Sequence, residues 1–201
     1  MSTQKSVMYS QQDEETHILA HTPKTGRFLD IGAWKPKDLS NTRALYERGW
    51  SGVLVEPSPG PCRELLEEYG SDDRVKIVCA AVGVAPDLKQ LHVCDGPYST
   101  THEDTFRRNE NGAVFIGSIW VPQLVVQEFI NHWGPFDFVN IDVEGGSVPL
   151  LKEYLESTVA YLPQCFCIEH DGRTAEAVRI AQPYNYFLKY DNSTNLIFAK
   201  K

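Results

Sequence analysis

Six ionisable residues interrupt or close otherwise apolar stretches of this chain: Asp30, Glu56, Asp142, Glu144, His170 and Asp171. Asp30 lies near the end of Arg27-Phe-Leu-Asp-Ile-Gly-Ala33, and Glu56 follows Gly52-Val-Leu-Val55. An acid after a second strand accepts hydrogen bonds from the ribose hydroxyls of an adenosine cofactor. The same acid, beside Pro57, is also placed to cap the helix that follows, so both roles are open. Asp142 and Glu144 follow Phe136-Asp-Phe-Val-Asn-Ile141, and His170 and Asp171 follow Cys165-Phe-Cys-Ile-Glu169. Carboxylates there suit a cation or a hydroxyl donor. An imidazole titrating near neutrality suits general-base work. His170 is the first candidate base and Asp142 the second, while His170 hydrogen-bonded to Asp171 as a strand end is the plainer alternative.

These residues converge only if the elements that carry them form one sheet. Apolar runs at 27–33, 52–56, 75–82, 136–142 and 165–169 read as buried strands, with a further strand over Leu88–Cys94. Helical patterns fall at 13–20, 43–48 (capped by Ser40-Asn-Thr42), 62–69, 123–133, 148–158 and 175–181. The strands at 186–190 and 195–199 flank a polar turn and read as an antiparallel hairpin. Strand–helix alternation predicts a mostly parallel sheet with helices on both faces. Right-handed crossovers then bring the carboxyl ends of the parallel strands to one edge, where ligands bind. Gly96–Gly117 is polar, lacks a period and is long for a loop, which makes it a candidate substrate lid or a plain surface loop. Ser99, Thr100, Thr101, His102, Arg107 and Arg108 are its groups able to select a substrate, and Trp34 is a stacking platform or a core aromatic.

The turn Asp30-Ile-Gly-Ala-Trp-Lys-Pro36 has one glycine and no glycine-rich fingerprint, which argues against a pyrophosphate-bearing dinucleotide. A nicotinamide oxidoreductase is disfavoured on that ground. Acids at 30, 142 and 144 suit a sulfonium and an ammonium instead, pointing to S-adenosylmethionine and a methyl donor. Asp142, Glu144 and His170 alone leave a hard cation short of oxygen ligands, so the expected chemistry is metal-independent.

Composition agrees. The chain has 201 residues, 42% hydrophobic and 23% charged, which fits one globular domain and excludes disorder. Residues 1–24 are expected to form an arm with a short helix, and residues 25–201 the domain. Twenty-seven acids against nineteen bases disfavour a nucleic-acid partner, and Arg107–Arg108 reads as a solvated pair. No apolar run is long enough for a membrane span and the first residues lack an apolar signal core, so a cytoplasmic protein without a membrane partner is expected. Five cysteines, an odd number without a CxxC pair, argue against a disulfide framework and a zinc site; Cys79, Cys165 and Cys167 read as small hydrophobes.

The ordered set of motifs resembles the FkbM-type methyltransferases. The matching pieces are Ser10-Gln-Gln-Asp-Glu-Glu15, Phe28-Leu-Asp-Ile-Gly-Ala33, Leu39-Ser-Asn-Thr42, Gly49-Trp-Ser-Gly-Val-Leu-Val-Glu-Pro57, Val78-Cys-Ala-Ala-Val-Gly83, Val139-Asn-Ile-Asp-Val-Glu-Gly145 and Ile168-Glu-His-Asp171. The resemblance implies a class I methyltransferase (Rossmann-like) α/β fold, a seven-stranded sheet with its last strand antiparallel. It places Asp30, Gly32 and Ala33 at the methionine end of S-adenosylmethionine, with Ser40 and Asn41 nearby. Glu56 would hold the ribose, Pro57, Ala80 and Ala81 would border the adenine, and Asp142 would sit near the donor methyl. It also implies O-methylation of a small-molecule or sugar hydroxyl. The alternative is a non-catalytic, cofactor-binding regulatory or scaffold protein.

Overall fold

A computed structural model describes residues 8–109, 112–157 and 161–201. The expectations for Met1–Val7, for the middle of the 96–117 segment and for the end of the 148–158 helix fall partly outside those residues. The parallel strands are β1 (Arg27–Ile31), β2 (Ser51–Val55), β3 (Val75–Val78), β7 (Phe138–Ile141) and β8 (Cys165–Glu169). With the hairpin β9 (Phe187–Asp191) and β10 (Asn195–Ala199) they form one seven-stranded sheet, ordered β3-β2-β1-β7-β8-β10-β9. Only β10 runs opposite to the other six strands. This is the class I methyltransferase fold, with the antiparallel hairpin at the carboxyl end.

Near-continuous apolar strands are what a sheet covered on both faces requires. Leu29 and Ile31 of β1 pack under α5 (Val126–Trp133), α6 (Ser147–Ser157) and α7 (Thr174–Ala181). Phe28, on the opposite face, joins Ile18 of α1 (Glu14–His21), Leu45 of α2 (Arg43–Glu47) and Leu65 of α3 (Pro59–Tyr69). α1 is fastened to the hairpin through buried Glu14, whose Oε1 accepts from Asn192 Nδ2 (2.7 Å) and Asn195 Nδ2 (3.0 Å). No helix of the described residues is long and apolar enough to cross a membrane.

Four expectations are corrected. The third strand does not run to Val82; it stops at Val78, and β4 (Ala81–Val82) belongs to a second, three-stranded sheet in which the longest strand is central. That sheet contains β5 (Asp87–Cys94) and β6 (Phe115–Leu124), so the residues at 123–124 are strand where a helix was expected. Gly117, Ser118 and Pro122 hide β6 in the sequence, because all three are poor strand residues. The 96–117 segment is also not structureless: it holds α4 (Glu103–Asn109), whose Phe106 stacks on His92 and meets Phe115 edge-on. Finally, Cys79 is not a free thiol but is disulfide-bonded to Cys62.

Candidate active site

The carboxyl ends of β1, β2, β7 and β8 open onto one cavity of about 390 Å³. All ten residues expected at the cofactor line it: Asp30, Gly32, Ala33, Ser40, Asn41, Glu56, Pro57, Ala80, Ala81 and Asp142. The turn after β1 is held from both sides. Gly32 and Ala33 donate to Val55 O (2.9 and 3.0 Å), and Asp142 N donates to Ile31 O (2.8 Å). Gly32 has φ +84°, and a Cβ there would collide with the Asp142 carbonyl, so both conformation and space require glycine.

Asp30 is buried beneath that turn. It accepts from Thr42 Oγ1 (2.5 Å) and Asn140 Nδ2 (2.8 Å), and Asn41 Nδ2 in turn donates to Asn140 Oδ1 (3.0 Å). Burial pushes the Asp30 carboxyl up to about 6 against the pull of these bonds. Ser40, rather than Thr42, caps the following helix, accepting from Arg43 N at 3.1 Å.

Glu56 takes the capping role and also faces the cavity. Oε1 accepts from Ser58 N (2.7 Å) at the start of α3, Oε2 accepts from Trp34 N (3.0 Å), and the residue still lines the cavity. Each carboxylate oxygen keeps a second lone pair for a ribose hydroxyl. Burial pushes this carboxyl up to about 7.

At the other end, Asp142, Glu144, Glu169 and Asp171 face the cavity, with Arg108 as its one basic lining residue among those described. One oxygen from each of Asp142, Glu144 and Glu169 lies within 4.8 Å of the others, an arrangement able to hold a cation. Glu144 (φ 52°) and Asp171 (φ 48°) occupy the left-handed region, a strain that clusters at functional sites. Burial, reinforced by the Glu169 and Asp171 charges, pushes Glu144 up to about 8. Asp142 and Glu169 are raised too, by burial first and then by neighbouring acids.

Sequence reasoning missed Glu169 and Asn195, which stand opposite each other on β8 and β10. It named His170 instead, and the geometry does not suit that role. His170 Nδ1 accepts from Gly172 N (2.9 Å), and Nε2 lies 3.1 Å from Asn192 O. A carbonyl only accepts, so Nε2 carries the proton and neither nitrogen has a free lone pair. His170 is not among the residues that line the cavity.

The donor set fits S-adenosylmethionine on an observation independent of any motif. Asn41 Oδ1, Ser58 Oγ and Asn195 Oδ1 are the buried side-chain atoms without a hydrogen-bond partner among the described residues, and all three residues line this cavity. Buried polar atoms are ordinarily paired, so three orphans around one cavity mark a polar ligand. Six lining carboxylates against one guanidinium suit a cationic ligand rather than a pyrophosphate.

The raised acids also set a pH dependence. Asp30, Glu56 and Glu144 hold protons more tightly folded than unfolded, so the folded state binds more protons and stability falls as pH rises. Their contribution is full below the ordinary carboxylate range and is lost through about 6, 7 and 8. His102, held below its ordinary value by burial, works in the opposite sense but counts once. The cofactor-free protein is therefore expected to melt at a lower temperature near ~pH 8 than near ~pH 6. A melting temperature that climbs over that interval would refute these assignments.

The Methyltransferase FkbM domain matches residues 30–180. This chain belongs to the FkbM methyltransferase family. It is an S-adenosylmethionine-dependent methyltransferase. No curated protein matches it. Among solved structures, the precorrin-6y C5,15-methyltransferase of Geobacter metallireducens is 13% identical, with TM-score 0.54 over 100% of this chain and 94% of that one. A putative methyltransferase, yhhF, of Escherichia coli is 12% identical, with TM-score 0.52 over 100% and 92%. The Streptococcus pneumoniae protein Sp1610, a putative tRNA (m1A22) methyltransferase, is 14% identical, with TM-score 0.51 over 96% and 71%. At such identities these likenesses bear on the fold of the FkbM-family protein alone.

Proposed function

We propose that this FkbM-family enzyme transfers a methyl group to a hydroxyl of a small molecule or sugar, without a metal. The observation that carries this reading is the acceptor-rich wall of the cavity: Asp142, Glu144 and Glu169 within 4.8 Å of one another, and the unpartnered Asn195 Oδ1. Such a wall receives hydroxyl protons. It offers nothing to a phosphate backbone, in keeping with the net charge of −8 and with no nucleic-acid partner.

When bound, S-adenosylmethionine supplies an electrophilic methyl on a sulfonium. The chain does the rest by holding and aligning, which is worth roughly 7–11 kcal/mol in favourable cases. Glu56 takes the ribose hydroxyls, Pro57, Ala80 and Ala81 border the adenine, and Gly32, Ala33, Ser40 and Asn41 hold the methionine end above Asp30. Asp142 accepts the hydroxyl proton as the acceptor oxygen attacks. Burial first, and the neighbouring acids after it, push Glu144 and Glu169 up, which lowers the charge of the cluster, and a hard cation would want six or more oxygens. Activity should accordingly survive chelation. His170 serves by position, pinning the turn after β8 to the hairpin.

Pro97, Tyr98, Ser99, Thr101, Arg108 and Asn109 complete the cavity from above the acids. The segment rests on the β7–α6 turn: Thr100 Oγ1 donates to Glu144 O (2.9 Å), and a Cβ on Gly145 would collide with Thr105 Oγ1. We assign it to acceptor selection. Amide exchange across Glu103–Asn109 is expected to slow when cofactor product and acceptor fill the cavity together, and to be fast with neither. Protection in the free protein equal to that of β7 would instead mark α4 as a fixed wall.

The test of the function is incubation with methyl-labelled cofactor and cell extract, followed by separation by size. Label in the small-molecule fraction is the expected result. Label confined to protein or nucleic acid, or cofactor binding without transfer to any fraction, would overturn it; the last outcome favours the regulatory alternative.

A further inference from the structure

One feature beside the cavity plays no part in methyl transfer. Cys62 and Cys79 are joined by a disulfide, their Cα atoms 6.2 Å apart. Cys62 is buried at the start of α3, and its N–H donates to Ser58 O at 3.0 Å. Cys79 is exposed and immediately precedes Ala80 and Ala81, both buried and both lining the cavity. The bridge therefore clips the Glu56–Ser58 segment to the Ala80–Ala81 segment. The backbone joins the strands that lead into them through the parallel β2–β3 ladder, whose last bond is Glu56 N to Val78 O at 3.0 Å, and the bridge adds a tie beyond the ladder's end. The other cysteines, Cys94, Cys165 and Cys167, are buried thiols that burial pushes away from the reactive thiolate form.

We propose that Cys62–Cys79 is a reversible disulfide–dithiol site that sets the affinity for S-adenosylmethionine, tighter when bridged and weaker when reduced. The inference rests on the adenine lying against Pro57, Ala80 and Ala81. A dithiol reductant is the co-reactant. One of its thiolates attacks the sulfur of exposed Cys79, the sulfur–sulfur bond breaks, and the electron pair leaves on Cys62, which takes a proton. The reductant's second thiolate then displaces Cys79, which takes the second proton, and the reductant is left as a disulfide. Two electrons and two protons pass to the protein. Exposure decides the order of attack: Cys79 is open to solvent and Cys62 is buried, so the reductant reaches the Cys79 sulfur first.

Without the bridge, the two segments keep only their own ties, Glu56 to Trp34 N and Ser58 N on one side and the β4–β6 pairing on the other, and binding bears the conformational cost of the freedom they regain relative to each other. Linkage makes the coupling reciprocal: bound cofactor must favour the disulfide by the factor by which the disulfide favours cofactor. In a reducing compartment such as the cytoplasm, a bridge of this kind is a sensor rather than a permanent staple.

The experiment is calorimetric titration with S-adenosylhomocysteine of the oxidised protein and of the same protein in dithiothreitol. Reduction is expected to weaken binding by about fivefold or more. The ratio of reduced to oxidised dithiothreitol that half-opens the bridge, read by alkylation and mass spectrometry, should shift by the same factor when S-adenosylhomocysteine is present. A Cys62→Ser, Cys79→Ser double variant should bind like the reduced protein and ignore dithiothreitol. Equal affinities in both forms, or alkylation of both cysteines in the untreated protein, would overturn the switch and leave the methyltransferase reading standing. Binding in neither form would overturn the cofactor site and the switch together.

Discussion

Replacing Asp142 by asparagine is expected to lower the maximal rate of methyl transfer about 100- to 10,000-fold, the range lost with a general base. The variant keeps the shape of the side chain and removes the lone-pair charge that receives the proton. Affinity for S-adenosylhomocysteine should change little, because that product has lost the sulfonium charge. Affinity for S-adenosylmethionine should fall modestly. His170→Ala is the matched control. Its ring nitrogens are engaged by Gly172 and Asn192, so its loss should lower the melting temperature while sparing the rate of the folded protein. If His170→Ala lost activity on the scale expected of Asp142→Asn while remaining folded, the assignment of the base would be reversed.

Glu56→Gln should weaken binding of S-adenosylhomocysteine by about 10- to 1000-fold, since hydrogen bonds to a charged group are worth about 1.5–3 kcal/mol each. Glutamine is the informative substitution. Alanine would also strand the backbone N–H groups of Trp34 and Ser58, which Glu56 satisfies at 3.0 and 2.7 Å, and would destabilise the turn itself. Glutamine keeps an oxygen for one of them and loses the charge. Calorimetry showing unchanged affinity in a folded Glu56→Gln protein would remove the carboxylate from ribose recognition.

The convergence of the residues expected to hold the cofactor was legible because they hang on buried parallel strands. Such strands are apolar throughout, so Asp30, Glu56 and Asp142 stand out at their ends, and right-handed crossovers dictate that those ends meet. The acceptor half was less legible. Glu169 and His170 are neighbours, and one position along a strand exchanges one face for the other, so the choice between them turns on where β8 ends. Asn195 carries no motif; only its antiparallel register opposite Glu169 brings it to the cavity. β6 was hidden by Gly117, Ser118 and Pro122 and by exposed Ile116 and Trp120, which blur the alternation that marks a half-buried strand. The Cys62–Cys79 bridge was out of reach for a different reason. Pairing depends on two Cβ atoms converging across α3 and β3, and an odd cysteine count does not reveal that geometry.

The central claim is that a hydroxyl oxygen, deprotonated at Asp142, receives the methyl group. Its most direct test is nuclear magnetic resonance on the product formed from carbon-13-methyl-labelled S-adenosylmethionine by wild-type protein and by Asp142→Asn. The account predicts a methyl ether on a small, hydroxyl-bearing molecule, formed by the wild type in the presence of chelator and nearly absent with the variant. A methyl group on nitrogen or carbon, or an ether formed equally fast by Asp142→Asn, would contradict it.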